Sequence, residues 1–326
     1  MSFLQLSIDI GARNPEPYED ALFELGALSV TLLDAADDPV LEPAPGAMPL
    51  WPTIIVRAVF AADADMNQVR AALGATPGLD PLLVAAKAEF EAVADRAWER
   101  EWLKDFRPMR FGQRLWVCPG GQRPESAGTA ASSPNAAGPT VILELDPGLA
   151  FGTGTHATTA LCLEWLDSGG AGAAGAEGAA AGWLAGADVI DYGCGSGILA
   201  IAALLLGAKQ AIAMDIDPQA LLATGQNAER NGVLDRVRVT ADPQIGGGQS
   251  DVVLANILAG PLIELAPLLA ERTRAGGRIA LSGLLLEQAD AVTEAYRPWF
   301  DIALAGARDG WGLLTGRRRA QDGVLK

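Results

Sequence analysis

Along the chain the apolar residues recur at two different spacings, and the change of spacing divides the sequence. Residues 3–10 (FLQLSIDI) alternate apolar and polar side chains, the period of a strand with one buried face. Between Pro15 and Gly26, Tyr18, Ala21, Leu22 and Leu25 return at three- and four-residue intervals, which predicts a helix. A strand over 28–33 follows, then a loop over 34–52 rich in Pro, Asp and Gly. Another strand is expected at 53–60, a helix at 66–73, and a last strand near 85–93. This β-α-β-β-α-β order predicts a small α+β sandwich of ferredoxin-like type.

From Asp188 onward the pattern becomes regular. Strands are expected at 188–193, 210–216, 237–241, 251–256 and 278–282, with helices at 198–206 and 218–230. Strands that alternate with helices predict a mostly parallel sheet covered on both faces. Residues 300–305 and 312–316 read as two strands around a Gly/Asp turn, an antiparallel edge. The chain thus divides into a small α+β domain (1–84), a linker expected to be helical (85–107) and a Rossmann-like α/β domain (108–326). In the linker, Trp98, Trp102 and Phe106 stand four residues apart, on one face of a helix that either packs on one domain or bridges the two. Residues 119–139 and 168–187 read as surface insertions; the second holds 16 Ala or Gly in 20 positions.

Composition narrows the function. Half of the 326 residues are apolar but only 6% are aromatic, so an aliphatic core is expected. The formal net charge is −16, a poor start for holding nucleic-acid phosphates and a good one for attracting a cationic partner. Residues 1–84 carry twelve acids and three bases, more than half of that charge. Cys118, Cys162 and Cys194 form no CxxC pair, and His156 is the one histidine, so the usual Cys/His zinc site cannot be assembled. The sparse, odd cysteine count fits a reducing compartment. The first ten residues lack the basic start of a signal peptide, and the longest apolar run, 198–206, is too short to span a bilayer. A soluble, cytoplasmic protein is expected.

Four motifs carry chemistry. DYGCGSG (191–197) joins a predicted strand to a predicted helix through Gly193, Gly195 and Gly197. A dinucleotide fingerprint would need glycine at position 198, where Ile198 stands. The G-x-G-x-G spacing is instead that of a loop for S-adenosylmethionine, a ligand without a pyrophosphate. Asp215 ends the next strand, where an acid can bind both ribose hydroxyls, although Asp217 competes for that role or caps the following helix. Asn256 closes the strand in DVVLANIL, at the crevice expected from the strand order. Its amide oxygen could accept a target N–H and aim the nitrogen lone pair, or it could merely cap a turn. The fourth, DPGLAFGTGTHATT (146–159), reads as an ordered loop over a ligand, with Thr159 in the first turn of a helix. Within it, Thr155 and His156 are candidate loop contacts. His156 serves there as a general base or simply orders the loop.

Together with NAERNGV, ANILAGPL and WEREWLKDFRPMRFGQRLWVCP, these motifs resemble the PrmA family of ribosomal protein L11 methyltransferases along nearly the whole chain. The resemblance implies a class I methyltransferase fold, with an antiparallel carboxyl-terminal edge to its sheet. It also implies methyl transfer from S-adenosylmethionine to lysine side chains and the N-terminal α-amine of L11, leaving S-adenosylhomocysteine. By motif match Thr159, Gly193, Gly195, Asp215 and Asn256 contact the cofactor, and Asn256 positions the target amine. L11, a basic protein, is the implied partner, docked by residues 1–84 onto a monomeric enzyme that needs neither nucleic acid nor membrane. Rival readings are another nitrogen methyltransferase, a nicotinamide oxidoreductase, which Ile198 opposes, and a non-catalytic factor that binds a basic protein.

Overall fold

A computed structural model of the chain describes residues 2–36, 50–94, 107–120, 122–124, 139–145, 154–169, 182–244 and 248–320. It divides into two compact units, Met1–Trp98 and Glu99–Lys326.

The smaller unit runs β1 (Ser2–Gly11), α1 (Glu16–Glu24), β2 (Ser29–Asp34), β3 (Ile54–Ala61), α2 (Met66–Ala75), α3 (Pro81–Lys87) and β4 (Ala88–Ala94). Its sheet has the order β2-β3-β1-β4 with every neighbour antiparallel, the ferredoxin-like arrangement expected from the sequence. Alternation does the work it predicts: Leu6, Ile8 and Ile10 of β1 and Val56, Ala58 and Phe60 of β3 are all buried in one core. Asp65 and Asp80 cap α2 and α3, each accepting two backbone N–H groups of the first turn.

The helical reading of 85–107 needs correction at its start. Residues 85–87 finish α3, and 88–94 form an edge strand paired with β1. Buried Ala88 and half-buried Phe90 alternate there with exposed Glu89 and Glu91, a period of two that a helix cannot use. The Trp98, Trp102 and Phe106 stripe lies outside the described residues.

The larger unit opens with a three-stranded sheet that the sequence reading did not include. Its strands are β5 (Met109–Phe111), β6 (Leu115–Pro119) and β7 (Val141–Leu145), the last parallel to β6. Then follow α4 (Ala157–Asp167), β8 (Asp188–Tyr192), α5 (Ile198–Leu205), β9 (Gln210–Met214), α6 (Pro218–Arg230), β10 (Val237–Thr240) and β11 (Ser250–Asn256). The unit ends with α7 (Ala259–Glu264), α8 (Ala266–Arg272), β12 (Thr273–Leu285), α9 (Ala289–Tyr296), β13 (Phe300–Arg308) and β14 (Trp311–Arg318).

The seven-stranded sheet has the order β10-β9-β8-β11-β12-β14-β13. It is parallel from β10 to β12 and antiparallel at β14 and β13, as expected. One apolar core covers each face. Helix α5 (ILAIAALL) is apolar all round and almost wholly buried, as a helix packed on both sides must be. From β8 the chain goes first to β9 on one side and later to β11 on the other. That reversal opens a crevice at the carboxyl ends of β8 and β11, the place where open α/β sheets bind ligands.

Candidate functional site

The crevice holds a cavity of about 620 Å³, inside the range of small-molecule sites. Tyr192, Gly193 and Gly195 line it from the end of β8, Met214 and Asp215 from the end of β9, and Asn256 and Ile257 from the end of β11. Leu258, Pro261 and Leu265 complete an apolar wall, and His156 and Trp311 approach from α4 and β14.

Its floor is a backbone turn. The N–H groups of Gly193 and Cys194 both donate to the Met214 carbonyl at 2.8 and 2.9 Å, which ties the glycine loop to the next strand. Gly193 has φ +79°, and a Cβ there would run into the Ile257 side chain. Gly283 of β12, at φ +85°, leaves no room for a Cβ against the Ile257 backbone. Ile257 is therefore seated between two glycines from different strands, and this seating fixes the turn that follows Asn256.

Asp215 and Asp217 divide the roles that the sequence left open. Asp217 is the N-cap of α6 and accepts the Gln219 N–H at 2.9 Å. Asp215 lines the cavity. One of its carboxylate oxygens accepts the Gly195 N–H at 2.9 Å and the other the Asp217 N–H at 3.0 Å. Each oxygen keeps a second lone pair for a hydroxyl donor.

Asn256 and Thr159 form a pair. The Asn256 amide nitrogen donates to the Thr159 hydroxyl at 3.2 Å, which sets the plane of the amide. Its Oδ1 is buried and meets no hydrogen-bond donor among the described residues. A buried acceptor without a partner costs about 1–3 kcal/mol unless something supplies a donor, so this atom is the clearest sign of an expected ligand. Thr159 itself is fully buried behind Asn256 and does not line the cavity. Thr155 is exposed and also lies outside the lining.

His156 caps α4: its Nδ1 accepts the Thr158 N–H at 3.4 Å and lies 2.7 Å from the Thr158 hydroxyl. Its ring stands edge-on to Trp311, with centroids 4.9 Å apart. The arrangement orders the loop, and it brings in Trp311, which the sequence reading missed because 155 residues separate it from His156. Cys194 is buried with its Sγ 3.4 Å from the Thr224 hydroxyl, and burial raises its thiol pKa.

Beneath the glycine loop, Asp191 is wholly buried. One carboxylate oxygen accepts the Ala200 N–H at 3.0 Å and the other has no partner among the described residues. Burial pushes its pKa up to about 7; the Ala200 bond opposes this and the Asp215 charge adds to it.

Comparison with known proteins points to one family. The family model described as "Ribosomal protein L11 methyltransferase (PrmA)" matches residues 2–319. The chain is 49% identical over 321 residues to a ribosomal protein L11 methyltransferase of Pseudomonas paraeruginosa, covering 98% of this chain and 100% of that one. It is 50% identical over 316 residues to the protein of the same name from Methylococcus capsulatus, covering 97% and 99%. Among solved structures, a ribosomal protein L11 methylase from Lactobacillus delbrueckii subsp. bulgaricus matches with TM-score 0.52 and 29% identity, over 66% of this chain and 100% of that one.

Proposed function

The chain belongs to the ribosomal protein L11 methyltransferase (PrmA) family, and from that membership and the crevice we propose that it methylates amines of ribosomal protein L11. It is an S-adenosylmethionine-dependent methyltransferase. When bound, that cofactor supplies a sulfonium methyl group, which passes to nitrogen as S-adenosylhomocysteine leaves and the nitrogen gives up a proton. The residues present fit it: the cavity is large enough, Asp215 offers free lone pairs, and the glycine loop leaves a backbone surface without side chains.

Gly193, Gly195 and Asp215 are the assigned cofactor holders, with Asp215 on the ribose hydroxyls. Asn256 is assigned the target amine. The observation that carries this assignment is its unpartnered Oδ1, an acceptor held in place by Thr159. An N–H that donates to Oδ1 has its lone pair aimed away from the amide, and the near-attack geometry gained can supply much of the rate. Ile257, Leu258, Pro261 and Trp311 exclude water. An apolar wall also favours the neutral amine, the form with a lone pair to offer. A lysine, with ordinary pKa ~10.4, needs more of that help than an α-amine at ~7.7–8.0. Lysine side chains and the N-terminal α-amine are the assigned targets. No side chain is given the role of base, since His156 is occupied in capping α4; solvent takes the proton. Residues 1–84 dock the substrate, and the enzyme works as a cytoplasmic monomer without nucleic acid.

The test is intact-mass analysis of unmethylated L11 after incubation with enzyme and S-adenosylmethionine. A ladder of whole methyl steps is expected, with peptide mapping placing them on amines. Asn256→Ala should lower kcat by about a hundredfold and leave L11 binding nearly unchanged. An unmodified L11, or an Asn256→Ala variant as fast as the parent, would reject the reading.

A further inference from the structure

Helix α6 buries four residues, Ala220, Thr224, Asn227 and Ala228, and two of them are polar. Apolar side chains would pack there without a desolvation cost, so Thr224 and Asn227 need hydrogen-bond partners. Both find them on the glycine loop. The Thr224 hydroxyl donates to the Gly195 carbonyl at 2.9 Å, and the Asn227 amide donates to the Ser196 carbonyl at 2.9 Å. Their three-residue spacing puts both on one face of the helix.

Thr224 is wholly buried and meets the loop at three residues. Its hydroxyl has one proton, and the Gly195 carbonyl takes it. The Cys194 Sγ, 3.4 Å away, is therefore the donor in the second contact, and burial keeps it a thiol. Beneath Gly197, at φ +79°, the Thr224 side chain fills the space that a Cβ would need, 2.8 Å from that position. Gly195 itself, at φ +53°, is tied on both sides. Its N–H donates to the Asp215 carboxylate at 2.9 Å, and its carbonyl accepts from Thr224. A glycine has more backbone freedom than any other residue, so these two bonds fix what the residue itself leaves loose.

We propose that Thr224 is a positioning residue for the cofactor, acting through Gly195 on Asp215. This rests on the reading of Asp215 as the holder of the ribose hydroxyls. Thr224 does not line the cavity. It holds the Gly195 carbonyl turned toward α6, and with it the N–H that steadies one carboxylate oxygen of Asp215. Without the hydroxyl that carbonyl loses its donor, and the loop relaxes toward other glycine conformations. The carboxylate then meets the ribose in several orientations, and cofactor binding weakens. The transfer step itself, for which Asn256 positions the amine, is untouched.

The experiment is calorimetric titration of the full chain with S-adenosylhomocysteine, with steady-state methylation of L11 measured alongside. Thr224→Ala should weaken binding about tenfold and raise KM for S-adenosylmethionine to match. Its kcat at saturating cofactor should stay within about twofold of the parent. Thr224→Ser restores the hydroxyl without the methyl group and should recover most of the affinity. A role in packing alone would leave the serine variant as weak as the alanine one. Thr224→Val keeps the core filled without a hydroxyl and should bind as weakly as Thr224→Ala, so it carries the test if the alanine variant fails to fold. Parental affinity in both hydroxyl-free variants, no recovery in Thr224→Ser, or a loss confined to kcat overturns the proposal. Asp215→Asn separates it from the reading on which it rests, and should lose at least as much affinity as Thr224→Ala. If Asp215→Asn binds as the parent does, the ribose assignment falls and the proposal with it. If Asp215→Asn is weak and Thr224→Ala is not, the proposal alone falls.

Discussion

At the scale of single residues, the crevice combines two buried oxygens, an amide's and a carboxyl's, that meet no donor among the described residues. One is Oδ1 of Asn256, a residue of the cavity lining, and the other is the second oxygen of Asp191, beneath the glycine loop. Their chemistry differs. An amide stays neutral, while a wholly buried carboxyl whose pKa has risen to about 7 takes up a proton as pH falls through that value. In the unfolded chain the same carboxyl has pKa ~3.9, so between about pH 4 and pH 7 the folded state holds more protons than the unfolded one. Stability linked to Asp191 is therefore fully present at low pH and declines as pH rises through about 7. Asp191→Asn keeps an acceptor for the Ala200 N–H and removes the titration. Melting curves between about pH 5 and pH 9 should show the variant gaining on the parent as pH rises, by a few kcal/mol at most. A constant difference across that range would mean that Asp191 does not titrate there.

At the scale of elements, the crevice is made by strand ends, and this decided how much of it was legible in the sequence. Gly193, Gly195, Asp215 and Asn256 each stand just after an apolar run whose end marks the carboxyl edge of the sheet, so motif and position pointed to the same place. Gly283 and Trp311 could not be read in this way. β12 was expected over 278–282, the part that pairs with β11, but it extends over Thr273–Leu285. Gly276, Gly277 and Gly283 interrupt its apolar pattern and hide both extensions. Trp311 begins β14, which lies between β12 and the edge strand β13, and reaches His156 only through the fold. The β5–β6–β7 sheet was missed for a similar reason, since its strands are short and residues 119–139 separate two of them. The hidden Gly283 should matter as much as the visible motif. Gly283→Ala places a Cβ against the Ile257 backbone at a φ that side chains rarely adopt. It should cost about 1–3 kcal/mol of stability in denaturant titrations. By displacing Ile257 it should also slow methyl transfer. A variant with parental stability and rate would show that the turn after Asn256 does not depend on that clearance.

At the scale of the whole molecule, the acidic surplus has a position as well as a size. Residues 1–84 hold twelve acids against three bases, and the rest of the chain is much closer to balance. On α1, Glu16, Asp20 and Glu24 occupy exposed positions at four-residue spacing, a stripe of like charge along one face. Such repulsion is weakly unfavourable to the helix, so solubility alone explains it poorly: scattered acids would serve as well. A stripe suits long-range attraction of a basic protein. Carboxylates near the amine would instead stabilise its protonated form. If the stripe steers the substrate, association of the full chain with L11 should slow as salt rises and the Debye length shrinks from about 10 Å at 0.1 M to about 3 Å at 1 M. Replacing the stripe by Glu16→Gln, Asp20→Asn and Glu24→Gln should slow association at low salt and make no difference at high salt. The turnover of bound substrate should not change, because none of the three residues lines the crevice. Stopped-flow association rates that ignore both salt and the triple substitution would reduce the charge to a solubility device.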